Sequence, residues 1–125
     1  MARILIIDDE PSVRNVLRHM LERAGHTVCE AGDGKTGLRE YRTNPADLLI
    51  TDIVMPDKDG LEIILELWRD YPDAKIIAIS GGGAQISSEM CLDYARVFGA
   101  LKTLAKPVER KTLLDTVNEL LGISA

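Results

Sequence analysis

The stretch ILIIDDEP at residues 4–11 decides the fold, because an apolar run ends there in three acids and a proline. An apolar run of this length, bounded by turn signals, is typical of a buried strand in a parallel sheet. Further apolar runs lie at residues 48–51 and 76–79, and residues 27–30 and 101–104 are strand candidates of mixed polarity. Three of them lead directly or within one residue to a polar side chain, namely Asp52, Ser80 and Lys106.

Amphipathic helical patterns lie between and after these runs. Apolar stripes predict helices at residues 11–24, 35–42, 61–71, within 87–98, and at 109–121. We expect Val16, Leu65 and Trp68 to face the core from these stripes. Each helix can return the chain to the start of the next parallel strand by a right-handed crossover. The sequence therefore predicts one α/β domain over residues 1–125, a (βα)5 three-layer sandwich without an output domain.

Polar residues at the strand ends predict a phosphate-handling site. The carboxyl ends of parallel strands meet at one edge of a sheet, so Asp8, Asp9, Asp52, Ser80 and Lys106 are expected to lie together. Mg²⁺ is held by one or two carboxylates plus substrate phosphate. An ammonium and a hydroxyl can neutralise or bind the remaining phosphoryl oxygens. This set of side chains indicates Mg²⁺-assisted phosphoryl transfer.

The same residues resemble a known family, the receiver domain of bacterial response regulators. The resemblance rests on Asp8-Asp9-Glu10, on DIVMP at residues 52–56 with Gly60 shortly after, on Ser80, and on Lys106-Pro107. It covers the whole chain. It implies a flavodoxin-like fold with strand order 2-1-3-4-5 and a cis Lys106–Pro107 peptide bond. It also implies Mg²⁺ and phosphorylation by a histidine kinase or histidine phosphotransfer protein, followed by contact with a downstream protein that the sequence does not name.

The resemblance also implies roles for individual residues. Asp52 is expected to be the phosphoacceptor, a nucleophile that forms an aspartyl phosphate. Asp9 and Asp52 are expected to bind Mg²⁺ directly, Asp8 through water, and Val54 through its backbone carbonyl. On this interpretation the domain is not an enzyme in the usual sense, because it catalyses only its own phosphorylation and dephosphorylation.

The switch residues depart from the family pattern. Receivers commonly carry an aromatic residue three positions before the site lysine, and this chain has Thr103 there. We expect switching to use Gly81, Gly82 and Gly83 instead, because glycines lower the cost of backbone rearrangement. A weak switch caused by Thr103 is the alternative.

Composition excludes several other classes. The net charge of −5 provides no basic surface for nucleic acid. The N-terminal apolar run is too short for a signal peptide or a membrane span, which favours a cytoplasmic protein. Cys29 and Cys91 lack metal-ligand spacing, so we expect two free thiols. His19 and His26 are expected at the surface, without a metal partner.

Other functions of a similar site stay open. Within signalling, the chain could instead be a phosphorelay intermediate or a phosphate sink. A Mg²⁺-dependent phosphohydrolase with an aspartate nucleophile would need a second Asp two residues later, where this chain has Val54. An FMN carrier of the flavodoxin type would need a Ser/Thr/Gly-rich loop after the first strand, where this chain has acids.

Overall fold

The computed structural model describes residues 2–53, 60–80 and 102–122, with the exception of the side chains of Leu61 and Ser80. Strands and helices alternate up to residue 80 as the sequence predicts. In chain order they are β1 (Arg3–Ile7), α1 (Pro11–Arg23), β2 (Thr27–Ala31), α2 (Gly34–Thr43), β3 (Leu48–Asp52), α3 (Gly60–Asp70), β4 (Ile76–Ser80), β5 (Lys102–Ala105) and α4 (Arg110–Leu121). The helix predicted within residues 87–98 lies outside the described residues.

All strand pairings in the sheet are parallel, and the order is β2-β1-β3-β4-β5. The predicted α/β class and strand order are therefore confirmed. Strand β3 lies at the centre, with β1 and β4 as its neighbours, and every residue of β3 is buried. Its register pairs Thr51 with Ile7 and with Ala78, so at this edge β3 extends one residue and β4 two residues beyond the end of β1.

The core divides into two layers, one on each face of the sheet. Alternate residues of a strand point to opposite faces, and β1 contributes Leu5 and Ile7 to one layer and Ile4 and Ile6 to the other. The first layer packs under α2 and α3, and the second under α1 and α4. The three-layer sandwich is thus built from the apolar runs that predict the strands.

The buried face of α3 differs from the prediction. Ile64, which the predicted stripe includes, is fully buried together with Ile63 and Leu67, whereas Leu65 is 42% exposed and Trp68 is 48% exposed. Both sets have helical spacing, so periodicity alone does not choose between them. The choice comes from Gly60, where a Cβ atom would lie 2.2 Å from the carbonyl oxygen of Asp52. This close backbone approach turns residues 60, 63, 64 and 67 toward the sheet.

Two further expectations about burial are wrong. Val16 is 51% exposed, although Leu17 and Leu21 of the same predicted stripe are buried. His26 is only 8% exposed, and its Nδ1 accepts a hydrogen bond from the Ala2 N–H at 3.3 Å. The turn after α1 brings His26 against the start of β1, a long-range contact that local polarity does not indicate. Cys29 is a free, partly buried thiol, and Cys91 lies outside the described residues.

Candidate functional site

Asp8 is the most firmly held residue of the acidic loop that follows β1. Its side chain is only 2% exposed, although it is a carboxylate. Its N–H donates to the Ala31 carbonyl at 3.2 Å, and its Oδ1 accepts from the Glu10 N–H at 2.9 Å. These bonds fix the loop between β1 and β2, so that the carboxylate is retained at the edge of the sheet.

Asp9 and Glu10 stand beside Asp8 and are exposed. One carboxylate oxygen from each of these three residues lies within 4.8 Å of the others. An all-oxygen donor set of this kind fits Mg²⁺ or Ca²⁺ and not a soft metal. Glu10 belongs to this cluster, although the sequence predicts it only as part of the acidic motif and not as a site residue.

Asp52 ends the central strand and lies close to Lys106. The carboxylate is 5% exposed, and its Oδ2 accepts a hydrogen bond from Lys106 Nζ at 2.9 Å. The same nitrogen lies 3.2 Å from Oδ2 of Asp8. It is also 3.9 Å from Oε1 of Glu10. One ammonium therefore joins the ends of β1, β3 and β5. The Lys106–Pro107 peptide bond is cis, as expected.

The charge of Lys106 is supported by its surroundings. Burial opposes the charge, but the hydrogen bond to Asp52 and the charges of Asp52 and Asp8 outweigh burial and raise the pKa of Lys106. The side chain is 17% exposed, so its positive charge faces the acids with little water between them. At neutral pH Lys106 is an ammonium that neutralises part of the acidic cluster.

The remaining predicted residues are placed only in part. Ser80 pairs with Ala105 in the sheet, which puts its backbone at the same edge, but its hydroxyl is outside the described atoms. Thr103 lies within β5 opposite Ala78 and is partly buried. The Val54 carbonyl and the glycines at Gly81, Gly82 and Gly83 lie outside the described residues.

Two residues near the site are not predicted as functional from the sequence. Arg14 of α1 donates to the Asp8 carbonyl at 2.5 Å, and Gly60 packs on the backbone of Asp52. A signal for Arg14 exists in Glu30, a charged residue inside the apolar run of β2, which forms an ion pair with Arg14 at 3.1 Å. Gly60 has no comparable signal, because a glycine after Asp59 is also typical of an ordinary turn.

Comparison with known proteins identifies the family. The family model for the response regulator receiver domain matches residues 4–118. This chain belongs to that family. It is 36% identical to Protein PilH of Pseudomonas aeruginosa, over 98% of this chain and 99% of PilH. It is also 36% identical to the DNA-binding transcriptional regulator NtrC of Azospirillum brasilense, over 97% of this chain but only 24% of NtrC.

Solved structures agree with this assignment. A response regulator receiver domain protein from Clostridium thermocellum superposes with a TM-score of 0.88 at 31% identity, covering 98% of this chain and 95% of that one. Receiver domains are signalling modules of two-component systems, and they generally bind Mg²⁺ at an acidic pocket. The clustered carboxylates of Asp8, Asp9 and Glu10 fit such a pocket in donor chemistry. Among the described residues, no helix has the length and apolar character needed to cross a membrane.

Proposed function

We propose that this protein is a phosphate-accepting switch, in which Asp52 receives a phosphoryl group from the phosphohistidine of a histidine kinase or a histidine phosphotransfer protein. The contact that supports this most is the one between Lys106 Nζ and Oδ2 of Asp52, at 2.9 Å. It pairs a buried carboxylate at the end of the central strand with the only ammonium of the described residues that also contacts Asp8.

The proposed reaction needs little covalent chemistry from the protein. A carboxylate oxygen of Asp52 attacks phosphorus, the P–N bond of phosphohistidine breaks, and the departing imidazole keeps the electron pair. Phosphoryl transfer depends mainly on positioning and on neutralising the phosphoryl oxygens. Lys106 moves from carboxylate to phosphoryl oxygen without leaving the site, because its nitrogen already lies between Asp8 and Asp52.

Mg²⁺ would supply the rest of the neutralising charge when it is bound. We assign it to Asp8, Asp9 and Asp52, together with the Val54 carbonyl. The exposed Asp9 carboxylate is open to direct contact with the ion. Oδ1 of Asp8 already accepts a hydrogen bond from the Glu10 N–H, so we assign Asp8 to contact Mg²⁺ through water.

The product would act through contact with another protein. We assign Ser80 to bind the phosphoryl group and the glycines at 81–83 to move with it, with Thr103 in place of the usual aromatic residue. Capture of the phosphoryl group by Ser80 would then change the surface that a downstream partner meets.

The test is phosphorylation by acetyl phosphate, in which the P–O bond to the acyl group breaks and acetate leaves. We expect the mass of one phosphoryl group to be added when Mg²⁺ is present and not after chelation. Asp52→Asn should abolish the addition. Asp33→Asn is the matched control, because Asn retains the cap of α2 that Asp33 provides through the Thr36 N–H.

Two results would overturn the proposal. One is undiminished labelling of Asp52→Asn, which would move the phosphoacceptor elsewhere. The other is sustained release of inorganic phosphate from small phosphomonoesters, which would make the protein a phosphohydrolase. If Asp33→Asn also lost labelling, the loss in Asp52→Asn would be explained by a general effect of removing a carboxylate. That result would count against Asp52 as the phosphoacceptor.

A further inference from the structure

Arg14 connects the acidic loop to the neighbouring strand. From α1 its guanidinium donates through Nη1 to the Asp8 carbonyl at 2.5 Å and through Nε to Oε1 of Glu30 at 3.1 Å. Both side chains of the ion pair are mostly buried, with 18% and 24% exposed. A guanidinium held at two points in this way has little freedom, because its donors have a fixed planar geometry.

The surroundings are shaped to accept this side chain. At Gly32 a Cβ atom would lie 3.3 Å from Nη1 of Arg14, so the absence of a side chain there leaves room for the guanidinium. Arg18 contacts the other carboxylate oxygen of Glu30, Oε2, and donates to the Val28 carbonyl at 3.2 Å. Two arginines of α1 therefore share one carboxylate, but only Arg14 reaches the acidic loop.

We propose that Arg14 is a positioning residue for the Mg²⁺ site, one that fixes the backbone of Asp8 so that the carboxylates of the loop converge. Asp8 then has four contacts: its N–H donates to Ala31, its Oδ1 accepts from the Glu10 N–H, its Oδ2 lies 3.2 Å from Lys106 Nζ, and its carbonyl accepts from Arg14. Among these contacts, only the one from Arg14 is made to the carbonyl. The guanidinium would therefore order this part of the loop before the ion binds.

Charge and positioning make opposite predictions for Arg14. The guanidinium is a positive charge close to a cation site, so its removal would tighten Mg²⁺ binding if charge alone mattered. Loss of positioning would weaken binding instead, and residues behind metal ligands typically contribute about tenfold or more to affinity. The direction of the change therefore distinguishes the two effects.

The experiment measures Mg²⁺ affinity by isothermal titration calorimetry in four proteins: wild type, Arg14→Lys, Arg14→Met and Arg18→Met. We expect both Arg14 variants to bind Mg²⁺ about tenfold more weakly. Arg14→Lys keeps the charge but cannot bridge Asp8 and Glu30 in the same planar geometry. Arg18→Met is the matched control, since it loses a positive charge and the same Glu30 partner but no contact with the loop, and it should bind like wild type.

A second readout reports on the loop without the ion. Amide resonances of Asp8, Asp9 and Glu10 should shift and broaden in the Arg14 variants and remain as in wild type in Arg18→Met. Unchanged affinity in Arg14→Lys, or tighter binding in Arg14→Met, would overturn the inference. If Arg14→Met does not fold, Arg14→Lys alone decides.

This inference rests on the proposed function, and the two can fail separately. If the wild-type protein binds no Mg²⁺, the proposed metal site itself is refuted. A wild-type protein that binds Mg²⁺ with an affinity independent of Arg14 would leave the phosphoacceptor proposal intact and refute only the role of Arg14.

Discussion

At the scale of single residues, Lys106 also compensates the charge of buried carboxylates in the unphosphorylated protein. Its nitrogen contacts two carboxylates whose side chains are 2% and 5% exposed. A carboxylate buried to this extent is costly unless a positive charge or a donor compensates it. The lysine that is proposed to neutralise a phosphoryl group therefore also stabilises the unphosphorylated protein.

Lys106→Met should lower the stability of the unphosphorylated protein. We expect a loss of about 2 kcal/mol in the free energy of unfolding, because Asp8 and Asp52 are left without their shared cation. Mg²⁺ should recover more stability in this variant than in wild type. Urea denaturation with and without Mg²⁺ measures both effects. Lys111→Met is the control, since Lys111 is 81% exposed in its pair with Asp115 and should change stability little. Equal losses in the two variants would contradict this role.

His26 gives the protein a dependence on pH that is separate from the site. Burial lowers the pKa of His26 below its ordinary value of 6.5, because the charged imidazolium is less favourable in the folded state. The unfolded state then binds more protons between the two pKa values, and stability falls as the pH falls below about 7. Above that range both states are neutral at this residue, and His26 adds no slope.

His26→Gln should flatten this part of the profile. Unfolding free energies from urea titrations at pH 7.5 and 5.5 should differ less in the variant than in wild type. His19→Gln is the control for the loss of an imidazole, because His19 is exposed on α1. An identical pH slope in wild type and His26→Gln would show that burial of His26 does not set the dependence.

At the scale of elements, the first turn of α3 is fixed by a contact between two backbones. The Gly60 N–H donates to the Ile53 carbonyl at 2.7 Å, and a Cβ atom at Gly60 would lie 2.6 Å from Cα of Ile53. The helix therefore rests directly on the residues that end β3. A side chain at position 60 must displace either the helix or the backbone of Asp52.

Gly60→Ala should damage both stability and phosphorylation. We expect a loss of about 1–3 kcal/mol, as for overpacking in a core, and slower labelling of Asp52 by acetyl phosphate. Gly37→Ala is the control, because its Cβ would lie 2.3 Å from Cδ1 of Ile7, which is a side-chain atom and not the backbone of Asp52. It should lose stability and keep the labelling rate. Wild-type labelling in Gly60→Ala would show that this contact does not position Asp52.

Predictability from sequence differs between strands and helices for a physical reason. The inner strands β1, β3 and β4 are buried on both faces, so their apolar runs identify them, and the end of the β3 run locates Asp52. A helix buries one stripe, and α3 offers two. The contact at Gly60 selects the stripe with Ile63 and excludes the one with Trp68, and no local pattern contains that contact.

The same limit applies to parts of the site. Arg14 acts through a backbone carbonyl and a carboxylate on β2, so its partners are set by the packing of α1 on the sheet and not by spacing. His26 is buried by the start of β1, again through a long-range contact. Residues at strand ends could be predicted, whereas residues that hold them in place required the assembled fold.

At the scale of the whole molecule, the site unites parts of the chain that are far apart in sequence. Asp8, Asp52 and Lys106 follow or end β1, β3 and β5, and they meet only when those strands pair. The four carboxylates of this edge repel one another in the folded protein, and the single positive charge of Lys106 does not neutralise them. They belong to Asp8, Asp9, Glu10 and Asp52. A divalent cation bound there should therefore couple to the stability of the entire domain.

Mg²⁺ should raise the free energy of unfolding by about 1.4 kcal/mol at ten times its Kd, because it binds the folded state alone. The increase should grow logarithmically with concentration and shrink in Asp52→Asn, which removes one proposed ligand. Asp115→Asn is the control, since Asp115 lies on α4 and pairs with Lys111 away from this edge. Thermal or urea unfolding across a Mg²⁺ series, with NaCl at matched ionic strength, separates binding from screening. An equal increase with NaCl, or an undiminished increase in Asp52→Asn, would refute a metal site that includes Asp52.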